Sequence, residues 1–365
     1  MLTQPAQTAL YQTHVRLGAK MSPFGGFLMP ISYSGILEEH RAVRTAVGMF
    51  DLSHMGQLLA TGDAVPDWLD ELTCNEVSTM RLNQARYNIF TNGHGAAHDD
   101  VIIYRLNGRW MIVVNAANTE KIWELLSACK PAGVTLENRT PRYALIALQG
   151  PRAAEVLQVL CDVNLSTVRY YHAAEATVEG VKAEIARTGY TGEDGFEVFV
   201  RADSAQKLWD RFTSVGEPYG LLPAGLGARD VLRLEAGMPL YGHELDEDIT
   251  PLQAGLDWAV KLNKQSFTGK APLETQRASD RYDRIVGLIM ESKTPARTGY
   301  TVLMDGTRVG DIRSGSPAPA LGGKNIATAL VHKAASAPDT RLAVEIRGTA
   351  HPATVVKLPF YKRKK

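Results

Sequence analysis

The chain has 365 residues, 45% of them hydrophobic and 22% charged, with a formal net charge of +1. Those values fit a globular protein of two or three domains and give no reason to expect nucleic acid or an anionic membrane as partner. No stretch approaches the roughly 18 apolar residues of a membrane span, and the opening MLTQPAQTALYQTH lacks the charged start and apolar core of a secretory signal.

The first patterned segment is GMFDLSHMGQL, a short apolar strand followed by His54 and Met55. A lone histidine there reads as a satisfied core or turn residue. Next comes HDDVIIY, in which Asp99 and Asp100 stand just before an apolar strand. Strand neighbours point to opposite faces, so at most one of the two faces any given site. The pair reads either as turn formers or caps, or as one buried carboxylate for a cationic or N–H-bearing ligand. VIIYRLNGRWMIVVNAANTEKIWELLSAC is strand, Asn107-Gly108 turn, strand and helix, with Asn118 or Thr119 as cap and Ile122, Leu125 and Leu126 as its apolar face. ALIALQGPRAAEVLQVL reads as a strand, then a helix with Pro151 in its first turn.

ARTGYTGEDGFEVFV, residues 186–200, places Gly189, Gly192 and Gly195 among three carboxylates. It is not a dinucleotide fingerprint, a phosphate loop or a calcium loop, because the required spacings are absent. VKAEIART and FEVFV both alternate, so the segment is a hairpin. Its glycines permit positive φ or close approach to the main chain. DSAQKLWDRF follows as a helix capped by Asp203 or Ser204. Two hairpin-plus-helix units indicate antiparallel sheets with helices on one face, an α+β class.

ARDVLRLEAG is a helix ended by Gly237, with Arg229 and Arg233 on one face. They suit a fork around a carboxylate or a structural salt bridge to Asp230, Glu235 or another helix. GHELDED reads as an acidic loop rather than a metal shell. KQSFTGKAPLETQRASDRYDR is polar and marks a boundary near 275. The stretches RIVGLIM, YTVLM, IATALVH, LAVEIR and ATVVKL follow, separated by turn signals at Asp305-Gly306 and SGSPAPALGG. That spacing predicts a small β-barrel or sandwich. The closing FYKRKK is a solvated basic tail. Cys74, Cys129 and Cys161 are far apart, without C-x-x-C spacing, so each reads as a small buried hydrophobe in a reducing, cytoplasmic compartment.

Together, EHRAVRTAVGMFDLSHMG, DDVIIY, ALQGP, TGYTGEDGFEV, GLGARDVLRLEAGMPLYGHELDEDITP and LPFY resemble, in order and spacing, the glycine cleavage system T-protein (aminomethyltransferase) family. The resemblance spans nearly the whole chain. It implies three domains around a central channel. Residues 1–275 would form a folate-binding region of two intertwined α+β subdomains (roughly 1–52 with 138–240, and 53–137 with 241–275), and 276–365 the barrel. It implies tetrahydrofolate as co-substrate, with no metal, flavin or nicotinamide, and a lipoylated H-protein as carrier. Among the residues, it implies Asp99 as the essential aspartate and Glu197 as the carboxylate on the pterin's amino-pyrimidine edge. Arg229 would be the folate-binding arginine and Tyr190 an aromatic wall. Tyr87, Asn115, Met55, Tyr241 and Tyr361 would be further contacts.

One departure is local: the family's Gly-Gly and aliphatic residue before the Asp pair are replaced, with Ala96 for the second glycine and His98 for the aliphatic. Two relatives on the same fold are alternatives: a tetrahydrofolate-dependent demethylase and a non-enzymatic folate-binding protein of iron–sulfur assembly. The latter carries Lys-Gly-Cys-x-x-Gly-Gln-Glu where this chain reads AGMPLYGHELDE.

Overall fold

The computed structural model describes residues 4–363, so the last two residues of the basic tail lie outside it. The chain divides into two compact units. One comprises residues 1–69, 77–87 and 101–230, and the other 70–76, 88–100 and 231–365.

The first unit is built on a six-stranded sheet in the order Ala173–Val178, Val181–Ala186, Gly195–Arg201, Tyr143–Gln149, Val47–Asp51, Leu221–Pro223. Alternation along the strands decides its two faces. Phe196, Val198, Val200, Ile146 and Leu148 pack with Val156, Leu157, Leu208, Trp209 and Phe212 of the helices Ala153–Leu160 and Ala202–Gly216. Glu197, Gly195 and Gln149 therefore project from the opposite face, with Gly195 paired to Gln149 and Glu197 to Ala147. Glu179 and Gly180 close the 173–186 hairpin with φ of 48° and 73°, the two positive values of the turn that matches strand twist.

A five-stranded sheet runs in the order Ala85–Thr91, Ala97–Leu106, Arg109–Val114, Gly56–Thr61, Thr135–Asn138. Asn107-Gly108 is its two-residue turn, and Gly108 supplies the positive φ of 68°. The helix after it, Thr119–Cys129, buries Ile122 and Leu126 as its spacing requires. Asn118 is the cap residue by position, but its side chain makes no capping bond. The 202–216 helix likewise begins one residue before Asp203. Asp203 sits in the first turn, where its charge faces the positive end of the helix dipole rather than capping it. Pro151 precedes its helix by two residues instead of entering the first turn.

In the second unit a closed six-stranded barrel runs Arg284–Met290, Lys324–Val331, Thr307–Ala318, Thr301–Met304, Arg341–Ile346, Thr349–Val356. Leu288, Ile312, Ala327, Val344 and Val355 fill it. The SGSPA stretch is strand rather than turn. Ser314, Ser316 and Ala318 bury small side chains in alternation, and all three pair with 324–328. The polar boundary segment contains a helix, Lys270–Ser279. Cys74 and Cys161 are buried, and burial pushes the Cys74 thiol up to about 12. Cys129 departs from the expectation: it is exposed, at the end of an amphipathic helix.

Candidate active site

The glycine-rich segment is the loop 187–194 between paired strands, and the side chain it surrounds belongs to the protein. A Cβ at Gly189 would lie 2.0 Å from Gln149 Oε1, and one at Gly195 2.4 Å from Gln149 Nε2 and 2.5 Å from the Leu148 carbonyl. Gln149 is buried, donates to the Thr188 carbonyl at 3.1 Å and accepts from the Thr191 hydroxyl at 3.0 Å. The bare backbone at 189 and 195 thus makes room for a glutamine that fastens the loop at two points. Gly192 adopts φ 80°, which a side chain would resist.

Two ion pairs account for two of the loop's carboxylates. Arg44 donates to the Thr191 carbonyl at 2.6 Å and to Glu193 at 2.9 Å, with both side chains largely buried. Arg187 grips Asp194 with two hydrogen bonds, the bidentate geometry a guanidinium favours. The third, Glu197, has no guanidinium partner. The Thr188 and Tyr104 hydroxyls both donate to its Oε2. Oε1 is left without a partner among the described residues. Burial first, and the Glu197 charge second, push the Tyr104 hydroxyl well above its ordinary range, which keeps it a donor. The arrangement is a half-buried carboxylate held by one oxygen and open at the other. The loop also carries Tyr190, with the Arg229 guanidinium 4.6 Å from its ring centroid.

Asp51 organises a second buried cluster in the same unit. It accepts from Thr8 at 2.7 Å and from His14 Nε2 at 2.9 Å, and His14 Nδ1 lies 2.9 Å from the Tyr33 hydroxyl. Burial opposes its ionisation, but His14, Ser53 and Thr8 outweigh burial and hold the carboxyl below its usual range. His54 is not the satisfied residue its sequence suggests. It is buried, and its Nδ1 has no partner among the described residues. Burial, opposed by Asp51 and reinforced by Arg229, pulls it down to about 4, so the imidazole is neutral. Met55 follows it, half-buried, its N–H bonded to the Leu52 carbonyl.

Tyr87 is half-buried on the 85–91 strand. Asn115 precedes a 3-10 turn, and its carbonyl accepts from the Asn118 N–H.

In the second unit Asp99 is fully buried. The strand starts at Ala97, so the Asp pair lies within the strand and not ahead of it, and burial alternates through it. His98 therefore points away from Asp99 and lies 3.3 Å from Glu247. Ala96 is tolerated where the family has glycine because Gly95 takes the positive φ of 82°, while Asn92 accepts the Ala96 N–H. The Ala97 N–H donates to the Asp246 and Ile249 carbonyls, fixing the strand's start against the segment that follows Tyr241. Tyr361 is held by its N–H on the Glu235 carbonyl. Arg233 is the structural arginine of its pair, buried on Glu244 at 2.9 Å. Among the described residues no three histidine, cysteine or acidic side chains converge as a metal site.

Sequence reading assigned no role to Gln149, Arg44, Tyr104 or Thr188. Gln149 and Arg44 lie inside segments that read as motifs, and the glycine spacing was the available signal for a side chain needing bare backbone.

Residues 10–264 match the GCVT N-terminal domain, and residues 284–362 match the glycine cleavage T-protein C-terminal barrel domain. The chain belongs to the glycine cleavage T-protein family. An aminomethyltransferase of Shouchella clausii is 45% identical over 368 residues, covering 100% of both chains. One of Streptomyces coelicolor is 45% identical over 371 residues, covering 100% of this chain and 99% of the relative. The crystal structure of the glycine cleavage system aminomethyltransferase T from Bartonella henselae superposes with a TM-score of 0.92 at 31% identity, covering 98% of each chain. The α+β fold with a closed terminal barrel is thus the family's fold.

Proposed function

We propose that this chain is the aminomethyltransferase of the glycine cleavage system. It takes the methylene carbon of an aminomethyl group carried on the dihydrolipoyl arm of H-protein and transfers it to tetrahydrofolate. The products are 5,10-methylenetetrahydrofolate, ammonia and dihydrolipoyl H-protein. Full-length similarity to aminomethyltransferases supports the reaction. The observation that carries the folate assignment is Glu197: its Oε2 is fixed by two hydroxyls and its Oε1 is open. An amino-pyrimidine edge offers N–H donors to such a carboxylate, and charge-assisted hydrogen bonds of this kind are among the strong ones.

In this reading Tyr190 and Arg229 form a wall, an aromatic face stiffened by a cation, along which the folate lies. Tyr87, Asn115, Met55, Tyr241 and Tyr361 add contacts. The catalytic group is Asp99. A buried carboxylate orients the folate amine, accepts a proton and stabilises the cationic one-carbon unit as ammonia leaves. Positioning of two substrates supplies much of the rest. Three free cysteines suit a reducing cytoplasm.

The test supplies tetrahydrofolate and aminomethyl-loaded H-protein and follows ammonia and methylenetetrahydrofolate together. Both products should appear in equal amounts. Asp99→Asn should keep folate affinity and lose about 10²–10⁴-fold in turnover. Wild-type turnover in that variant removes Asp99 from the chemistry, and folate binding without ammonia release removes the aminomethyl substrate.

A further inference from the structure

The first unit buries a carboxamide without bonding it. Gln57 is 0% exposed, and neither its Oε1 nor its Nε2 has a partner among the described residues. The direction of its side chain is fixed by its main chain. The Gln57 N–H donates to the Thr140 hydroxyl at 2.9 Å, and its carbonyl accepts from the Arg139 N–H at 2.8 Å. An unbonded buried amide destabilises a folded chain, and a methionine of similar shape would fill the place without that cost. Packing alone does not explain the residue.

Strand register shows which face the amide occupies. Gln57 stands opposite Val113, and Val113 opposite Ile102. In the next row Leu59 stands opposite Met111, and Met111 opposite Tyr104. Residues in register across neighbouring strands, or two apart along one strand, share a face. Gln57 and Tyr104 are the polar side chains of these two rows. Tyr104 bonds Glu197 at 3.3 Å, and its ring meets Phe199 edge-on with centroids 5.6 Å apart. This face of the five-stranded sheet therefore looks onto the face of the six-stranded sheet that carries Glu197. Gln57 lies one row and two strands from Tyr104, about 7 Å along the strands and about 10 Å across them. A flat bicycle with a hydrogen-bonding side chain at either end fills such a span. Gln57 is also two residues from Met55, and Val113 two from Asn115.

A carboxamide presents one acceptor and one donor side by side. A tetrahydropterin presents the complement on either flank of its amino-pyrimidine edge: the C4 carbonyl oxygen with the N5–H, or N1 with the N8–H. In the oxidised ring neither N5 nor N8 carries hydrogen, so each flank becomes two acceptors and one of them faces the amide oxygen. We propose that the Gln57 carboxamide pairs with a flank of the folate ring and makes the site select the reduced ring over the oxidised one. The inference rests on the folate assignment above and adds a specificity residue to it. The amide is sealed from water here, so pairing turns its side chain or a neighbour's. It involves no covalent step.

The test measures binding of tetrahydrofolate, 7,8-dihydrofolate and folic acid to the full chain and to Gln57→Met, with urea midpoints for both proteins. Wild type should prefer tetrahydrofolate to folic acid. In Gln57→Met that preference should fall about tenfold, the loss of a buried hydrogen bond, because tetrahydrofolate loses affinity and folic acid does not. The midpoint should stay level or rise. Dihydrofolate keeps the N8–H and lacks the N5–H. If it loses affinity as tetrahydrofolate does, the amide is on the N8 flank; if it behaves as folic acid does, the amide is on the N5 flank. An unchanged preference, an equal loss for all three ligands, or a loss that comes with a lower midpoint overturns the proposal and leaves the folate site intact. Failure of wild type to bind tetrahydrofolate overturns the folate assignment itself.

Discussion

Gly189→Ala tests whether the glycines of the 187–194 loop exist for Gln149. The added Cβ would meet Gln149 Oε1 at 2.0 Å and its Cδ and Nε2 at 2.6 Å, and these are its three nearest atoms. Overpacking of that kind costs about 1–3 kcal/mol. Gln149→Ala costs about 2–4 kcal/mol, because it removes the donor to the buried Thr188 carbonyl and the acceptor of the buried Thr191 hydroxyl, which keeps only the Glu193 N–H among the described residues. If the sites were independent, the double variant would lose the sum. Truncating Gln149, however, removes the three nearest atoms that the new methyl strikes. The double variant should therefore be little worse than Gln149→Ala alone, with a favourable coupling of about 1–3 kcal/mol. Urea midpoints read this, with the slope checked because the chain has two compact units. Tetrahydrofolate affinity should follow stability, since the loop bears Tyr190 and leads into Glu197. Strict additivity would refute the reasoning. Gly195→Ala is the internal control: its Cβ also meets the Leu148 carbonyl at 2.5 Å, so Gln149→Ala should rescue it only in part.

Glu197→Gln should weaken tetrahydrofolate binding by about 10–100-fold, the loss of a hydrogen bond to a charged acceptor, while urea stability changes little; unchanged affinity in a titration would remove the pterin edge from this carboxylate. Arg44→Ala should destabilise by about 3–5 kcal/mol because Glu193 is left charged and buried. Adding Glu193→Gln should recover part of that loss, and a double variant no better than the single would show that the pair is not the cause. His54 gives a pH signature. Its pKa falls from 6.5 to about 4 on folding, so the unfolded chain binds the proton first as pH drops. Its contribution is full above 6.5 and declines until about pH 4, amounting to about 3 kcal/mol. Urea midpoints of wild type and His54→Asn should diverge over that window, and parallel profiles would refute a buried neutral imidazole.

Alternation and turn chemistry made most of the first unit readable. VKAEIART and FEVFV alternate, so their two faces follow from the letters, whereas ALIALQ is apolar almost throughout and its faces follow from its pairing with 195–201. The Asn107-Gly108 and Asp305-Gly306 turns could be placed because only a few residues accept their backbone angles. What could not be read were choices made by tertiary partners. SGSPA has no strand propensity of its own and becomes strand because small side chains fit beside 324–328 on the face where Ala318 packs with Leu234 and Ile326 and the Ser314 hydroxyl accepts from Arg233. Asp203 looks like a cap, but the preceding strand hands the chain directly to the helix at Ala202. Of the site, the loop and its acids were visible, but which acid stays open depends on which arginine reaches it. Arg44 is 147 residues from Thr191 in sequence, and no local pattern reports such a pairing.

That distribution of arginines has a chemical consequence. Glu193 and Asp194 are each satisfied by a guanidinium, which neutralises them and spends their lone pairs on fixing the loop. Glu197, three residues on, is held by hydroxyls instead. Hydroxyl donors orient a carboxylate and partly offset its desolvation without cancelling its charge. An arginine in their place would hold it more tightly and leave it a poor acceptor for anything else. The neutral donors therefore keep the full negative charge available at Oε1, where an N–H-bearing edge must be recognised. Thr188→Val and Tyr104→Phe are correspondingly expected to lower affinity by disordering Glu197 rather than by removing a ligand contact. Each should cost about 1 kcal/mol, less than Glu197→Gln. If either single variant costs as much as Glu197→Gln, that hydroxyl touches the ligand itself.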